Sequence, residues 1–186
     1  MSSGSALLNA SKLLEDAGLK AGDKVADFGA GRAGHIVFAA TQIVGEKGMV
    51  YAVDVVKDVL AMIDGRGKLF GTLNLTTIWG DFECPAGVRI ASHSLDMVTI
   101  VNNAWSAKAP EMMLQEAKRL LKPGAILFLV DWGRKVEHPA APPMGMRFSS
   151  LQAEALCLKG GFKKINDVFA GSTHWAIVCT CMSGTT

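Results

Sequence analysis

Three carboxylates, a glycine-rich turn and a histidine are the residues here best suited to holding a ligand. The stretch Val25-Ala-Asp-Phe-Gly-Ala-Gly-Arg-Ala-Gly-His35 sets Asp27 just ahead of Gly29, Gly31 and Gly34. Asp54 follows Gly34 by 20 residues, and Gly80-Asp81-Phe82 comes later. Glycines let the backbone take positive φ and approach a ligand closely, and a helix start behind them offers free N–H groups. Carboxylates at strand ends can accept from ribose hydroxyls or an exocyclic amine. Read literally, Gly29-x-Gly31-x-x-Gly34 with Asp54 is a dinucleotide fingerprint, which implies a nicotinamide-dependent oxidoreductase. The plainer alternative is that the small residues only let a helix pack on a sheet.

Alternating strands and helices must position these residues. The apolar patterning predicts a short helix over residues 5–17, then strand one over Lys24–Phe28 and a helix from Gly34 to Val44. Strand two covers Met49–Val53, and a helix runs from Lys57 to Gly65 with a broken end or loop up to Gly71. Thr76–Trp79 is a short third strand and Met97–Val101 a β-branched fourth, suited to a buried parallel position. Pro110 opens a helix that Lys122-Pro-Gly124 ends, and Ala125–Val130 is the fifth strand. A proline-rich loop over 133–148 precedes a helix at Ser149–Lys159. Lys163–Phe169 and His174–Cys181 then make an antiparallel hairpin. The fold class is α/β: a doubly wound, mostly parallel seven-stranded sheet with helices on both faces and a C-terminal antiparallel hairpin. One domain over 1–186 is expected, its core about 22–182.

Bulk properties narrow the partners. The chain has 186 residues, is 49% hydrophobic and 19% charged, and can build a substantial core. A formal net charge of +2 gives no general argument for nucleic acid, without excluding a local patch. Apolar runs are too short to span a bilayer, and no secretory signal is recognisable, so a cytoplasmic protein without a membrane partner is expected. The four cysteines form no CxxC pair; Cys179 and Cys181 share one strand face and read as small buried hydrophobes.

Asp27 before the turn, the late Gly80-Asp81-Phe82 and the terminal hairpin move the reading away from a nicotinamide. With them the chain, over residues 7 to 182, resembles the class I (Rossmann-like) S-adenosylmethionine-dependent methyltransferases. Val-Ala-Asp-Phe-Gly-Ala-Gly matches their first motif, Val-Tyr-Ala-Val-Asp54 their second-strand acid, and Gly-Asp-Phe their adenine motif. Leu95–Asn103 looks like their fourth strand, and Lys118–Asp131 like their following helix and fifth strand. One departure stands out: Ala33 occupies the family's usual third glycine position, and Gly34 follows it.

The resemblance implies S-adenosyl-L-methionine as cofactor. Gly29, Ala30 and Gly31 would line its methionyl and ribose portions, with Asp27 near its amino group. Asp54 would accept from the ribose hydroxyls, Val55 would flank adenine, and Asp81 and Phe82 would serve the adenine. Asn102 and Asn103 would lie beside the sulfonium. Methyl transfer from a sulfonium needs alignment and dryness, and needs a base only when the nucleophile is protonated. His35 is the leading candidate base; the alternative is a helix-capping or cofactor contact. Trp105 and Trp132 follow strands four and five and His138 sits in the proline-rich loop; these three would wall a substrate pocket, or pack and solvate ordinarily. Arg134, Glu137 and Arg147 read as solvated loop charges. The expected acceptor is a small molecule, with RNA or protein as alternatives. A non-catalytic cofactor-binding subunit remains a further rival. With little chain ahead of strand one, an open site, or one closed by a partner subunit of a homo-oligomer, is expected.

Overall fold

The structure is a computed structural model and describes residues 7–182, the side chain of Trp105 excepted. A seven-stranded sheet runs in the order β3-β2-β1-β4-β5-β7-β6. The strands are β1 (Lys24–Phe28), β2 (Met49–Asp54), β3 (Leu75–Trp79), β4 (Leu95–Val101), β5 (Leu121–Trp132), β6 (Phe162–Val168) and β7 (His174–Cys181). β1 to β5 are mutually parallel and β6 and β7 pair as an antiparallel hairpin, as the sequence predicts; β7 also pairs antiparallel with β5, which places it between β5 and β6. The helices are α1 (Ala10–Asp16), α2 (His35–Val44), α3 (Lys57–Leu69), α4 (Pro110–Leu120) and α5 (Ser150–Lys159). One apolar cluster gathers side chains of α1, α2 and α3 on one sheet face; a second gathers α4, α5 and the residues around Val88 on the other. Burying both faces explains why β4 is apolar from Met97 to Val101 apart from Thr99.

Three boundaries differ from the sequence expectation by four residues or more. The first helix begins at Ala10, because Asn9 is extended and its side chain accepts from Lys12 N at 3.1 Å, the geometry of an N-cap. Leu7 and Leu8 therefore precede it, and residues 5 and 6 lie outside the described residues. The helix expected to break at Gly65 continues to Leu69. Its last turns are held by the Asp64–Lys68 ion pair at 2.7 Å and by Gly67, whose absent side chain leaves room for Leu75. Tertiary packing overrides the two glycines' low helix propensity here. The fifth strand begins at Leu121, which pairs with Leu95 before a register shift.

The connection from β3 to β4 carries no helix and is pinned from α4 instead. Glu116, 3% exposed, accepts from Ala86 N and Val88 N and from the Arg119 guanidinium. Burial alone would raise this carboxyl, but the hydrogen bonds from Arg119 and the backbone hold it below its ordinary value. Arg119 in turn donates to the carbonyls of Val88 and Ile90.

Candidate functional site

Parallel strands deliver their carboxyl ends to one edge, and the glycine turn sits there between β1 and α2. Gly29 N and Ala30 N both donate to Val53 O of β2, so the turn is anchored to the neighbouring strand. Gly29 has φ +78°, and a Cβ there would fall within 2.6 Å of the Asn103 amide. A side chain there would be strained and would have to displace that amide. Asn103 closes the opposite side: its Nδ2 donates to Phe28 O, Gly29 O and Val101 O at 3.1, 3.1 and 2.8 Å. It thereby staples the end of β4 to the end of β1. Asn102 before it takes a left-handed conformation, φ +58°, which asparagine tolerates.

The displaced glycine has a structural reason. Gly34 is the N-cap of α2 and adopts φ +58°. A Cβ there would meet the Phe38 ring at 2.9 Å, and that ring packs edge-on against Phe70 beneath the Arg66 guanidinium. Ala33 serves through its backbone: its carbonyl accepts from Arg66 at 2.7 Å. The glycine is needed where α2 starts over Phe38, one residue later than the family pattern.

The carboxylates differ in environment. Asp27 is buried, and its Oδ1 accepts from Thr99 Oγ1 at 2.6 Å across the β1–β4 pairing. Burial pushes its carboxyl up to about 7, opposed by the Thr99 bond and reinforced by Asp54. Asp54, at the end of β2, accepts from Gly31 N at 3.2 Å and Val56 N at 2.9 Å, so it orders the turn while keeping lone pairs on both oxygens. Val55 is exposed, and its carbonyl accepts from the Trp79 indole at 2.9 Å. Asp81 is half-buried and accepts from Glu83 N and Cys84 Sγ of its own turn. Phe82 stacks one face on Phe28, ring centroids 4.9 Å apart.

Asp27, Gly29, Ala30, Gly31, His35, Ile36, Val101, Asn102 and Asn103 together line a cleft of about 110 Å³. His35 is exposed at the first position of α2. Asp54, Val55, Asp81 and Phe82 lie on the same carboxyl edge, beyond the cleft toward β2 and β3. The other direction along that edge leads to Trp132 at the end of β5. Trp132 is 2% exposed and lies against the His138 ring at 5.6 Å and the His174 ring at 4.3 Å. Trp105 belongs to a short turn after β4; its side chain lies outside the described part of the structure. Arg147 is buried rather than solvated, donating to Pro142 O, Gly133 O and Val136 O and so knotting the 133–148 connection.

Sequence reasoning missed four contributors. Thr99 carried a signal, a polar residue inside an apolar strand. Glu83, which accepts from Lys108 N and Ala109 N at the start of α4, and Glu116 carried none. His174 is brought to Trp132 only by the β5–β7 register.

A family model described as a methyltransferase domain matches residues 19–170. The chain belongs to that family. A solved S-adenosylmethionine-dependent methyltransferase from Aquifex aeolicus is 25% identical, superposes with a TM-score of 0.87, and is covered over 92% of its length by 96% of this chain. Fold and family are thus those of the class I S-adenosylmethionine-dependent methyltransferases, with S-adenosylmethionine as the family's cofactor; the nicotinamide reading of the glycine spacing falls away. Arsenite methyltransferase of Aquipseudomonas alcaligenes is 34% identical over 116 residues, 59% of this chain and 33% of that protein. The human arsenite methyltransferase is 32% identical over 123 residues, 62% of this chain and 32% of that protein. The chain spans about a third of the length of these curated relatives. Among the described residues no helix is long and apolar enough to cross a membrane.

Proposed function

We propose that this chain transfers a methyl group from S-adenosylmethionine to a small-molecule acceptor. The observation that carries the reading is the cleft at the β1–β4 carboxyl edge, where a buried carboxyl meets the glycine turn, with the strand-end acid Asp54 holding Gly31 N beside it. The residues fit the cofactor. At Gly31 a Cβ would meet only the Gly29 carbonyl, at 3.9 Å, so the missing side chain lets a ligand approach the backbone of the turn closely. Asp27, inside the cleft, suits a cationic amino group, and Asp54 retains lone pairs for vicinal hydroxyls. Asp81 and Phe82 are assigned to the adenine, with Val55 at its flank; Ala30, Asn102 and Asn103 are assigned to the methionyl side.

S-adenosylmethionine supplies an electrophilic methyl group whose leaving group is a neutral thioether. The chain's own residues align and desolvate. Asn103 keeps β4 and β1 at fixed separation, so the cleft is formed before a ligand arrives. His35, exposed at the cleft rim, is assigned to accept the acceptor's proton when the nucleophile carries one and to pass it to solvent. The small-molecule assignment is supported by the names of the relatives, which act on arsenite. Arsenite itself is the second reading. Trivalent arsenic is a soft centre that favours thiolates, whereas among the described residues Cys84 is exposed and Cys157, Cys179 and Cys181 are buried.

Calorimetric titration with S-adenosylhomocysteine and with NAD tests the reading. We expect saturable binding of the first and none of the second; binding of NAD alone overturns it. His35→Ala then separates chemistry from scaffolding. Turnover should fall about 100-fold or more with S-adenosylhomocysteine affinity intact, whereas equal loss of both assigns His35 to the cofactor. Cofactor binding with no methyl transfer across an acceptor panel would favour a non-catalytic subunit.

A further inference from the structure

Two features at the end of β5 are unused by the cofactor reading. The first is His174. It is 8% exposed, and Thr173 Oγ1 lies 2.8 Å from its Nδ1. Its Nε2 is buried without a hydrogen-bond partner. Buried polar atoms are rarely left so, and in either tautomer this nitrogen offers one strong donor or acceptor. Burial, with the nearby His138 adding to it, lowers this imidazole to about 4, so the ring is neutral near pH 7. The second feature is what covers Trp132. His138 reaches it from the 133–148 connection, its ring inclined 30° to the indole with centroids 5.6 Å apart. That connection is held to the fold through the Arg147 bonds to Gly133 O, Val136 O and Pro142 O, while His138 itself is only half-buried. An imidazole stacked on an indole from a loop occupies the position a planar ligand would take.

Trp132 stands one strand from Asn102, because β5 lies beside β4 and Val101 pairs with Val130. Adjacent strands are about 4.8 Å apart. A ring on the indole therefore lies within a small molecule's reach of the cleft at the β1–β4 edge. We propose that the methyl acceptor is a planar aromatic molecule bearing an O–H or N–H, which takes the place of the His138 ring on Trp132 and hydrogen-bonds to His174 Nε2. This inference rests on the methyltransferase reading and narrows its acceptor class. A group that both donates and accepts, such as a phenol or an imidazole, satisfies His174 in either tautomer. His174 is a residue that holds the acceptor; the methyl-transfer step itself is assigned elsewhere.

The test uses the four histidines of the chain as reporters. With full-length protein saturated with S-adenosylhomocysteine, the imidazole C–H signals are followed by NMR during titration with phenol, imidazole, cyclohexanol and arsenite. We expect phenol and imidazole to shift the His138 and His174 signals saturably and to leave His93 unmoved; cyclohexanol and arsenite should shift none of them. His174→Asn keeps an amide near Thr173 and removes the Nε2 position, and should weaken phenol binding about tenfold. His174→Gln should restore most of that loss, because its amide reaches further. Unmoved His138 and His174 signals, or equal shifts from cyclohexanol, overturn the proposal. Failure of S-adenosylhomocysteine to bind instead removes the methyltransferase reading, and the aromatic titration can still be read on the unliganded protein.

Discussion

The carboxyl edge of the sheet has two halves built on different principles. Around β1 and β2 the site is mostly backbone: a turn anchored by Gly29 N and Ala30 N to Val53 O, with side chains that fix it rather than fill it. Around β5 and β7 the edge is made of rings, Trp132 between or beside two histidines, under a loop knotted by a buried arginine. The first half demands particular residues because backbone geometry tolerates no substitute. The second tolerates many solutions, because any set of rings that packs will cover the edge. That difference suits a constant cofactor on one side and a variable acceptor on the other.

Substitutions can break the halves separately. The largest expected effect is in the ring half. Trp132→Ala should cost about 3–5 kcal/mol of stability through the cavity left under His138 and His174, while S-adenosylhomocysteine affinity at a temperature where the variant is folded stays within about twofold. Calorimetry and thermal melts read both; parallel loss of cofactor affinity would show that the halves are one unit. Next is Gly29→Ala. Its Cβ would collide with the Asn103 amide and sit at φ +78°, breaking the staple between β4 and β1. About 2–4 kcal/mol is expected from strain and lost hydrogen bonds, with cofactor affinity falling in step. Retained affinity would mean that the turn is not the cofactor cradle.

Asp54→Ala should weaken S-adenosylhomocysteine binding by about 1–3 kcal/mol, because Gly31 N and Val56 N lose their acceptor along with any ribose contact. Asp54→Asn should lose less; equal losses would assign the effect to charge alone. The last effect is on pH. Asp27 is raised from 3.8 to about 7 in the unliganded fold. A carboxyl raised on folding contributes stability that is complete below its unfolded value and lost as pH rises toward the folded one. Stability should therefore fall by about 1 kcal/mol per pH unit between roughly pH 4 and 7. Asp27→Asn should flatten that slope. Bound S-adenosylhomocysteine should also flatten it, since a neighbouring ammonium favours the ionised form. A slope that Asp27→Asn leaves intact would remove Asp27 as its source.

The same contrast explains what the sequence made legible. The alternation of strands and helices, the terminal hairpin and the cofactor edge follow from glycine spacing, strand-end carboxylates and apolar periodicity, all local signals. Even Gly34, out of place by the family pattern, is a local matter once Phe38 is seen beneath it. The ring half is non-local. His174 meets Trp132 only through the β5–β7 register, and Arg147 is buried only because three carbonyls of one irregular connection turn toward it. A charged residue in a proline-rich stretch reads as solvated, and nothing in its neighbours says otherwise. Likewise α3 runs through Gly65 because Gly67 lies against Leu75, a contact between elements that local propensity does not encode.

The edge is not the roomiest place on the molecule. A hollow of about 490 Å³, lined in part by Thr41, Gly45, Met49 and Asn74, opens at the opposite, amino end of β2. Its lining brings no buried carboxyl and no strand-end acid, so volume alone is a poor guide to the site. A crystal structure with S-adenosylhomocysteine decides between them directly. The thioether sulfur should lie in the cleft bounded by Gly29–Gly31 and Asn102–Asn103, with the ribose on Asp54. Ligand density in the hollow near Met49, with the β1–β4 cleft unchanged, would contradict it.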